Sequence, residues 1–259
     1  MNNPQPILET RALAVSIGGK QVCRALNLAL QAGERWGILG LNGVGKTSLL
    51  HTLGGLRAAD GGDILLDAGR LAALPRRQVA QRLGVLLQDS DEAFPSSVLE
   101  AALIGRHPHL HAWAWESVQD EAIARAALNA VGLAGFETRS TATLSGGERR
   151  RLALAALLVQ DPQLLLLDEP VNHLDVHHQI AALDLLTKLA REQNKTLAIV
   201  LHDVNLVVRY CDKVLLLFGE GETVQGATHE LLTETNLQRL YQHPMRRVQT
   251  DAGDFFYPM

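Results

Sequence analysis

Strand-like and helix-like stretches alternate along the chain. Ile7 to Val15 and Ala25 to Leu30 alternate apolar and polar residues, the mark of half-buried strands, and Gly18-Gly19 reads as a turn between them. Trp36 to Leu39 is a short apolar run that stops at glycines, and helical spacing follows from Lys46 to Leu53. Asp63 to Leu66 reads as a further strand. A helix-like stretch begins near Pro75 and leads into a strand at Val85 to Leu87. From Ser96 to Val131 the pattern predicts almost continuous helix, entered through a capping box of Ser97 and Glu100. Leu164 to Leu167, Thr196 to Leu201 and Val214 to Leu217 are unbroken apolar runs, as expected of central parallel strands covered on both faces. Helical spacing fills the gaps between them. Strand, crossover, strand is the α/β pattern. No repeat, low-complexity tract or Pro/Gly/Ser-rich linker interrupts it, and the tail after Pro244 reads as irregular up to Phe255-Phe256-Tyr257-Pro258.

Composition narrows the function. The chain has 259 residues, 47% hydrophobic and 20% charged, enough for one large α/β domain. A net charge of -4 and 4% aromatics argue against a nucleic-acid partner. Cys23 and Cys211 are two distant cysteines, neither a disulfide framework nor a zinc signature, and suit a reducing compartment. The start Met1-Asn2-Asn3-Pro4 lacks the basic and apolar regions of a secretory signal. Leu152 to Val159 and Leu164 to Leu167, the longest apolar candidates, are split by Gln160-Asp161-Pro162 and fall short of a membrane span. Work at a membrane would need a partner to hold the chain there.

Gly40-Leu41-Asn42-Gly43-Val44-Gly45-Lys46-Thr47 fits G-x-x-x-x-G-K-[ST] between an expected strand and an expected helix, with Ser48 following. Glycines permit backbone conformations and close approach that a Cβ would block. The loop's N–H groups can then converge on phosphate oxygens at a helix N-terminus, with Lys46 reaching the β- and γ-phosphates and Thr47 ligating Mg²⁺. A chance glycine turn has no reason to stand in that context.

Leu164 to Leu167 ends in Asp168-Glu169. Ligands gather at the carboxyl ends of parallel strands, so Asp168 can serve Mg²⁺ and Glu169 can polarise the water that attacks a γ-phosphate. A polar loop start after a buried strand is the plainer alternative. Upstream lies Leu144-Ser145-Gly146-Gly147-Glu148. Locally, Ser145 and Glu148 form another capping box for a helix through Arg151 and Leu154, and such a helix start is itself an anion site.

The phosphate loop, LSGGE and LLLLDEP, in this order, resemble the nucleotide-binding domain of ABC transporters over nearly the whole chain. The resemblance implies a P-loop NTPase core with a mixed, mainly parallel sheet, an antiparallel β-subdomain and an inserted helical subdomain. The core would span 1–87 and 160–259, and the helical segment 88–159. ATP and Mg²⁺ are the implied cofactors, with Thr47, Gln88 and Asp168 at the metal. Gln88 matches the Q-loop that faces the membrane partner. Asn172-His173-Leu174-Asp175 matches the D-loop, which would put Asp175 at a dimer interface. His202 matches the switch histidine that contacts the γ-phosphate. One position departs: Ile17 stands where many relatives place an aromatic residue against adenine, which weakens base selection.

The resemblance also implies partners. Two such domains pair head to tail, each ATP lying between one phosphate loop and the other copy's Ser145, Gly146, Gly147 and Glu148, so a homodimer is expected. A separate integral-membrane permease dimer, and through it a substrate-binding protein, would complete the machine at the cytoplasmic face of the cell membrane. Gly105-Arg106-His107-Pro108-His109, Val171 to Asp175 and the ending Thr250 to Pro258 are most similar to subunits that import iron-siderophores, haem and cobalamin. Rival readings are an exporter or other transporter subunit, a soluble ABC ATPase, and a P-loop kinase or passive nucleotide binder. The last is opposed by LSGGE and Glu169. The histidines at His107, His109 and His111, and at His173, His177 and His178, invite a metal reading, but lack a completing carboxylate or cysteine and suit a solvated surface. Trp113 and Trp115 could pack in the helical segment or meet a permease.

Overall fold

The computed structural model describes residues 5–88, 96–111, 115–251 and 253–259. Its strands are β1 (Leu8–Ile17), β2 (Lys20–Leu26), β3 (Ala29–Leu30), β4 (Arg35–Gly40), β5 (Gly61–Leu66), β6 (Gly69–Arg70), β7 (Leu83–Leu86), β8 (Leu164–Asp168), β9 (Thr196–Val200), β10 (Lys213–Gly219), β11 (Glu222–Ala227), β12 (Met245–Thr250) and β13 (Gly253–Pro258). The α-helices are α1 (Lys46–Leu53), α2 (Arg76–Arg82), α3 (Val98–Leu103), α4 (Val118–Ala130), α5 (Gly146–Gln160), α6 (Val176–Gln193), α7 (Val204–Tyr210), α8 (Thr228–Leu231) and α9 (Glu234–Tyr241).

The central sheet runs β11-β10-β4-β9-β8-β7. All its pairings are parallel except that of β10 with β11. Along β8, Leu165 and Leu167 face one apolar core while Leu164 and Leu166 face the other; Leu197 and Ile199 against Ala198 and Val200 divide β9 the same way. A strand with both faces buried cannot show polar alternation, which is why these segments read as continuous apolar runs. One core joins α3 to α7 to the sheet. The other joins α1 to an antiparallel sheet of order β2-β1-β5-β6, with β3 on β1. The α/β reading with a mixed sheet, an antiparallel sheet and a helical segment is therefore correct.

Local expectations met tertiary structure in several places. Gly18 and Gly19, both at positive φ, close the β1–β2 turn. The expected strand at Ala25 to Leu30 is broken instead: β2 ends at Leu26, and the Asn27 side chain accepts a hydrogen bond from the Ala12 backbone at 2.8 Å. The expected helix from Ser96 to Val131 is also interrupted. The Ser97–Glu100 capping box opens α3, but a 3₁₀ turn over Ile104–Arg106 ends the run. A second capping box, Ser117 with Asp120, opens α4. Arg106 donates to Asp120 at 2.7 Å and to the Val159 carbonyl, tying the break to α4 and α5. Trp113 lies outside the described residues, and Trp115 is exposed.

The tail after Pro244 is a correction. It is not irregular but a hairpin, β12 with β13, in register from Met245–Pro258 to Thr250–Gly253. Phe256 is buried in the main core, and Asn205 on α7 both donates to its carbonyl and accepts from its amide. The pairing is held by these long-range contacts rather than by local pattern.

Candidate functional site

The carboxyl ends of the parallel strands converge on one edge. Gly40 ends β4, Asp168 ends β8, and His202 follows β9; Gln88 stands two residues past the end of β7. The register aligns them, with Ile38 and Asp168 both paired to Val200. This edge is where open α/β sheets take ligands.

From Gly40 the chain makes a glycine loop into α1. Gly45, at φ 105, is a left-handed helix cap, and a Cβ there would stand 2.3 Å from Val22 on β2. Only glycine fits that crossing. Asn42 and Gly43 are exposed, Leu41 and Val44 half-buried, and Ser48 buried within α1. Lys46 is buried and folds back, donating from Nζ to the carbonyls of Gly40 at 2.9 Å and Leu41 at 3.2 Å. Burial pulls its ammonium below the usual range, while the carboxylates of Glu169 and Asp168 act in the opposite sense. A cation held only by two carbonyls is poised to exchange them for an anion.

Asp168 is fully buried, and neither of its carboxylate oxygens makes a hydrogen bond of ordinary geometry. Burial pushes its carboxyl above the usual range; a contact from the Thr47 side chain opposes this, and the neighbouring Glu169 charge adds to it. A buried carboxylate left without donors, beside a hydroxyl at the mouth of a phosphate loop, is a donor set that fits a hard divalent cation.

Glu169 takes a left-handed backbone, φ 50, a strained conformation for a side chain with a Cβ. His202 Nε2 lies 2.5 Å from its Oε1, and the Asn172 amide donates to its Oε2. Arg150, buried on α5, hydrogen-bonds the backbone carbonyls of Leu87, Gln88, Asp168, Glu169 and Pro170. Arg150 does not stand out in the sequence, and Asn172 enters only as the first residue of the D-loop match, with no part at Glu169. Arg150 is one of three successive arginines with nothing local to separate it, and an asparagine after a strand end is an ordinary turn residue.

The LSGGE segment lies elsewhere. Ser145 caps α5, accepting from the Glu148 amide at 3.2 Å, while the Glu148 carboxylate accepts from the Ser145 amide at 2.6 Å. That backbone donor holds Glu148 below the usual carboxylate range. Ser145 and Gly146 are exposed, Gly147 abuts His173 and Leu174, and no hydrogen bond joins 144–148 to the phosphate loop among the described residues. Asp175 caps α6 by accepting from the His178 amide, which holds its carboxyl low. So Lys46, Thr47, Asp168, Glu169 and His202 come together, Gln88 joins them through Arg150, and Ser145 to Glu148 and Asp175 stand apart, facing outward. Ile17 is half exposed at the end of β1, beside the hairpin that carries Val22. His109 bonds the Gln160 carbonyl and His178 bonds Asp175.

Residues 23–172 match the family model described as ABC transporter. The chain is also 37% identical to the petrobactin import ATP-binding protein FpuD of Bacillus anthracis, over 89% of this chain and 84% of that protein. The chain belongs to the ABC transporter family. Within it, it is an ATP-binding subunit and an ATPase. This ABC ATPase is 42% identical to the hemin import ATP-binding protein HmuV of Pseudomonas fluorescens, over 90% of this chain and 89% of that protein. Its fold superposes on an inward-facing ABC transporter assigned to the metal-chelate type, with a TM-score of 0.84, 30% identity, and coverage of 98% of this chain and 97% of that one. Such import subunits work with membrane permeases. No described helix of this ABC ATPase is long and apolar enough to cross a membrane.

Proposed function

We propose that this chain powers an importer of a metal chelate: an iron-siderophore, haem or cobalamin. The observation that carries this reading is full-length likeness. Siderophore and haem import subunits align at 36–42% identity over about nine-tenths of this chain, and the metal-chelate-type transporter aligns from end to end. The core would comprise 1–87 and 160–259, and the helical segment 88–159.

The chain's own residues have distinct tasks in this reading. The amides of the loop Gly40 to Thr47, with Ser48, cradle the phosphates. Lys46 leaves its two carbonyls for phosphate oxygens. Thr47, Asp168 and Gln88 would hold Mg²⁺, which when bound neutralises phosphate charge. Glu169 orients and polarises the attacking water, and His202 holds Glu169 and meets the γ-phosphate. The exposed Ser145 and Gly146, with the half-buried Gly147 and Glu148, reach the nucleotide of a second copy, with Asp175 at the same interface. Their placement supports this: no hydrogen bond joins them to the chain's own phosphate loop among the described residues, and Ser145 and Gly146 lie exposed at a helix N-terminus. ATP favours the paired state and hydrolysis releases it. The assembly sits on the cytoplasmic face of the cell membrane, bound to a permease dimer served by a substrate-binding protein.

The test is recovery of the Glu169→Gln variant from detergent-solubilised membranes in ATP and Mg²⁺, with identification of what co-purifies. A polytopic permease is the expected companion, and its own sequence narrows the cargo. Reproducible recovery of soluble or nucleic-acid proteins alone would end the transport reading and leave the ATPase.

A further inference from the structure

Arg149, Arg150 and Arg151 follow one another on α5 and point three ways. Arg149 is exposed, and Arg151 donates to the carbonyls of Val131 and Gly132 at the end of α4. Arg150 turns inward and is 9% exposed. Its Nε donates to Pro170, its Nη1 to Leu87 and, at 3.2 Å, Gln88, and its Nη2 to Asp168 and, at 2.9 Å, Glu169. All five acceptors are backbone carbonyls. They lie where the ladder between β7 and β8 ends, whose last pair is Leu86 with Leu167. Beyond that pair β7 and β8 no longer pair with each other, although Asp168 still pairs with Val200 on β9 and the Glu169 carbonyl also accepts from the Asn172 backbone amide at 3.2 Å; buried carbonyls need donors. One planar guanidinium spans both strand ends; an ammonium has neither the fork nor the reach.

We propose that Arg150 is the positioning residue through which the helix bearing Ser145 sets the two strand ends bearing Gln88 and Glu169. The inference rests on the reading of Glu169 as the residue that activates water. Arg150 lies little more than one turn from Ser145 on a continuous helix, so the two move together. Displacement of the α5 N-terminus by a second copy's nucleotide shifts the peptide of Glu169, whose carboxylate already touches His202 and Asn172. The same fork shifts the Gln88 peptide, so engagement of the signature and placement of the water-activating carboxylate form one mechanical event. Arg150 touches no reacting atom. Its loss should therefore lower turnover and spare nucleotide affinity, since misplacing a catalytic group by about 1 Å can cost on the order of 10²-fold.

The experiment is steady-state ATP turnover of the full chain with Mg²⁺, alongside binding of a fluorescent ATP analogue and thermal melting. It compares Arg150→Ala, Arg150→Lys, Arg151→Ala and Glu169→Gln. Arg150→Ala is expected to lose kcat by ~10- to 100-fold with KM within about two-fold of the unaltered chain. Arg150→Lys should recover part of that loss, while Arg151→Ala, which loosens only the helical segment, keeps kcat. Should Arg150→Ala fail to fold, Arg150→Lys decides, because it keeps the charge and loses the fork. Unaltered kcat in Arg150→Lys would then overturn the proposal. So would equal losses of kcat in Arg150→Ala and Arg151→Ala, which would mark general loosening. Full turnover in Glu169→Gln would instead overturn the reading on which the proposal rests, whatever Arg150 does.

Discussion

His202 Nε2 lies 2.5 Å from Glu169 Oε1, while the Asn172 amide occupies the other oxygen of the same carboxylate. The three residues come from the end of β9 and the turn after β8, neighbours in the sheet. Glu169 is thus held on both sides in an otherwise strained left-handed backbone. Glu169→Gln keeps the size of the side chain but removes the base. Turnover should fall by ~10²-fold or more, with ATP still bound. In ATP and Mg²⁺, size-exclusion chromatography should then show a stable dimer. A monomer with normal phosphate release would refute the base assignment.

Lys46 spends its charge on two carbonyls of the loop it must later leave. Lys46→Ala removes the one buried cation aimed at the phosphates. The ATP dissociation constant should rise by roughly 10- to 100-fold, the range for a lost charge-assisted hydrogen bond. Titration calorimetry with ATP reads this directly. Gly45→Ala is the companion test of shape: its Cβ would meet Val22 at 2.3 Å, at a φ of 105. It should weaken ATP binding without removing any charge.

These two sites show what the sequence made legible and what it did not. The phosphate loop is local, eight residues between a strand and a helix, and its geometry follows from its glycines. The central strands were equally visible, because burial on both faces leaves an unbroken apolar run. The pairing of Glu169 with His202 spans 33 residues and exists only because β8 lies beside β9; resemblance singled out each residue, but nothing in the sequence pointed to their contact. Arg150 looks like its neighbours until α5 is docked on the sheet. The β12–β13 hairpin was missed because exposed charges, such as Arg246 and Arg247, dilute its alternation, and because Phe256 and Asn205 anchor it through distant parts of the fold.

Asp120 offers a test of stability rather than activity. Donors from the Ser117 hydroxyl and amide, and then Arg106, hold its carboxyl down from 3.8 to about 2. A lowered folded-state value means that the stabilisation is complete above the ordinary value near 4 and is lost as the pH falls toward 2. Asp120→Asn should cost about 1–2 kcal/mol at pH 7, roughly 3–6 °C in melting temperature. The gap between the two proteins should narrow below about pH 4 and close only once the pH has fallen below about 2. A gap that persists there would mean that packing, not the ionised carboxylate, is lost.

Ser145 separates the local from the shared role of the signature. Its hydroxyl caps α5 within its own chain, so Ser145→Ala should cost ~1 kcal/mol of stability, the usual value of such a cap. Ser145→Arg loses the same cap and adds bulk and charge at an exposed helix start. If the segment served only its own helix, the two variants would melt alike and hydrolyse ATP alike. If it meets the nucleotide of a second copy, Ser145→Arg alone should abolish turnover, and both should bind ATP as the unaltered chain does. Mixing supplies the decisive arm. A dimer of one Ser145→Arg subunit with one Lys46→Ala subunit combines the damaged signature of one chain with the intact phosphate loop of the same chain. If sites are shared, the intact one pairs the phosphate loop of the Ser145→Arg subunit with the signature of the Lys46→Ala subunit. Contact across the interface puts both lesions in one site when each subunit contributes to the other, and leaves the second site whole. Half of the unaltered turnover per mixed dimer, roughly a quarter in a randomly paired equimolar mixture, supports shared sites, whereas signature action within one chain damages both sites and predicts none.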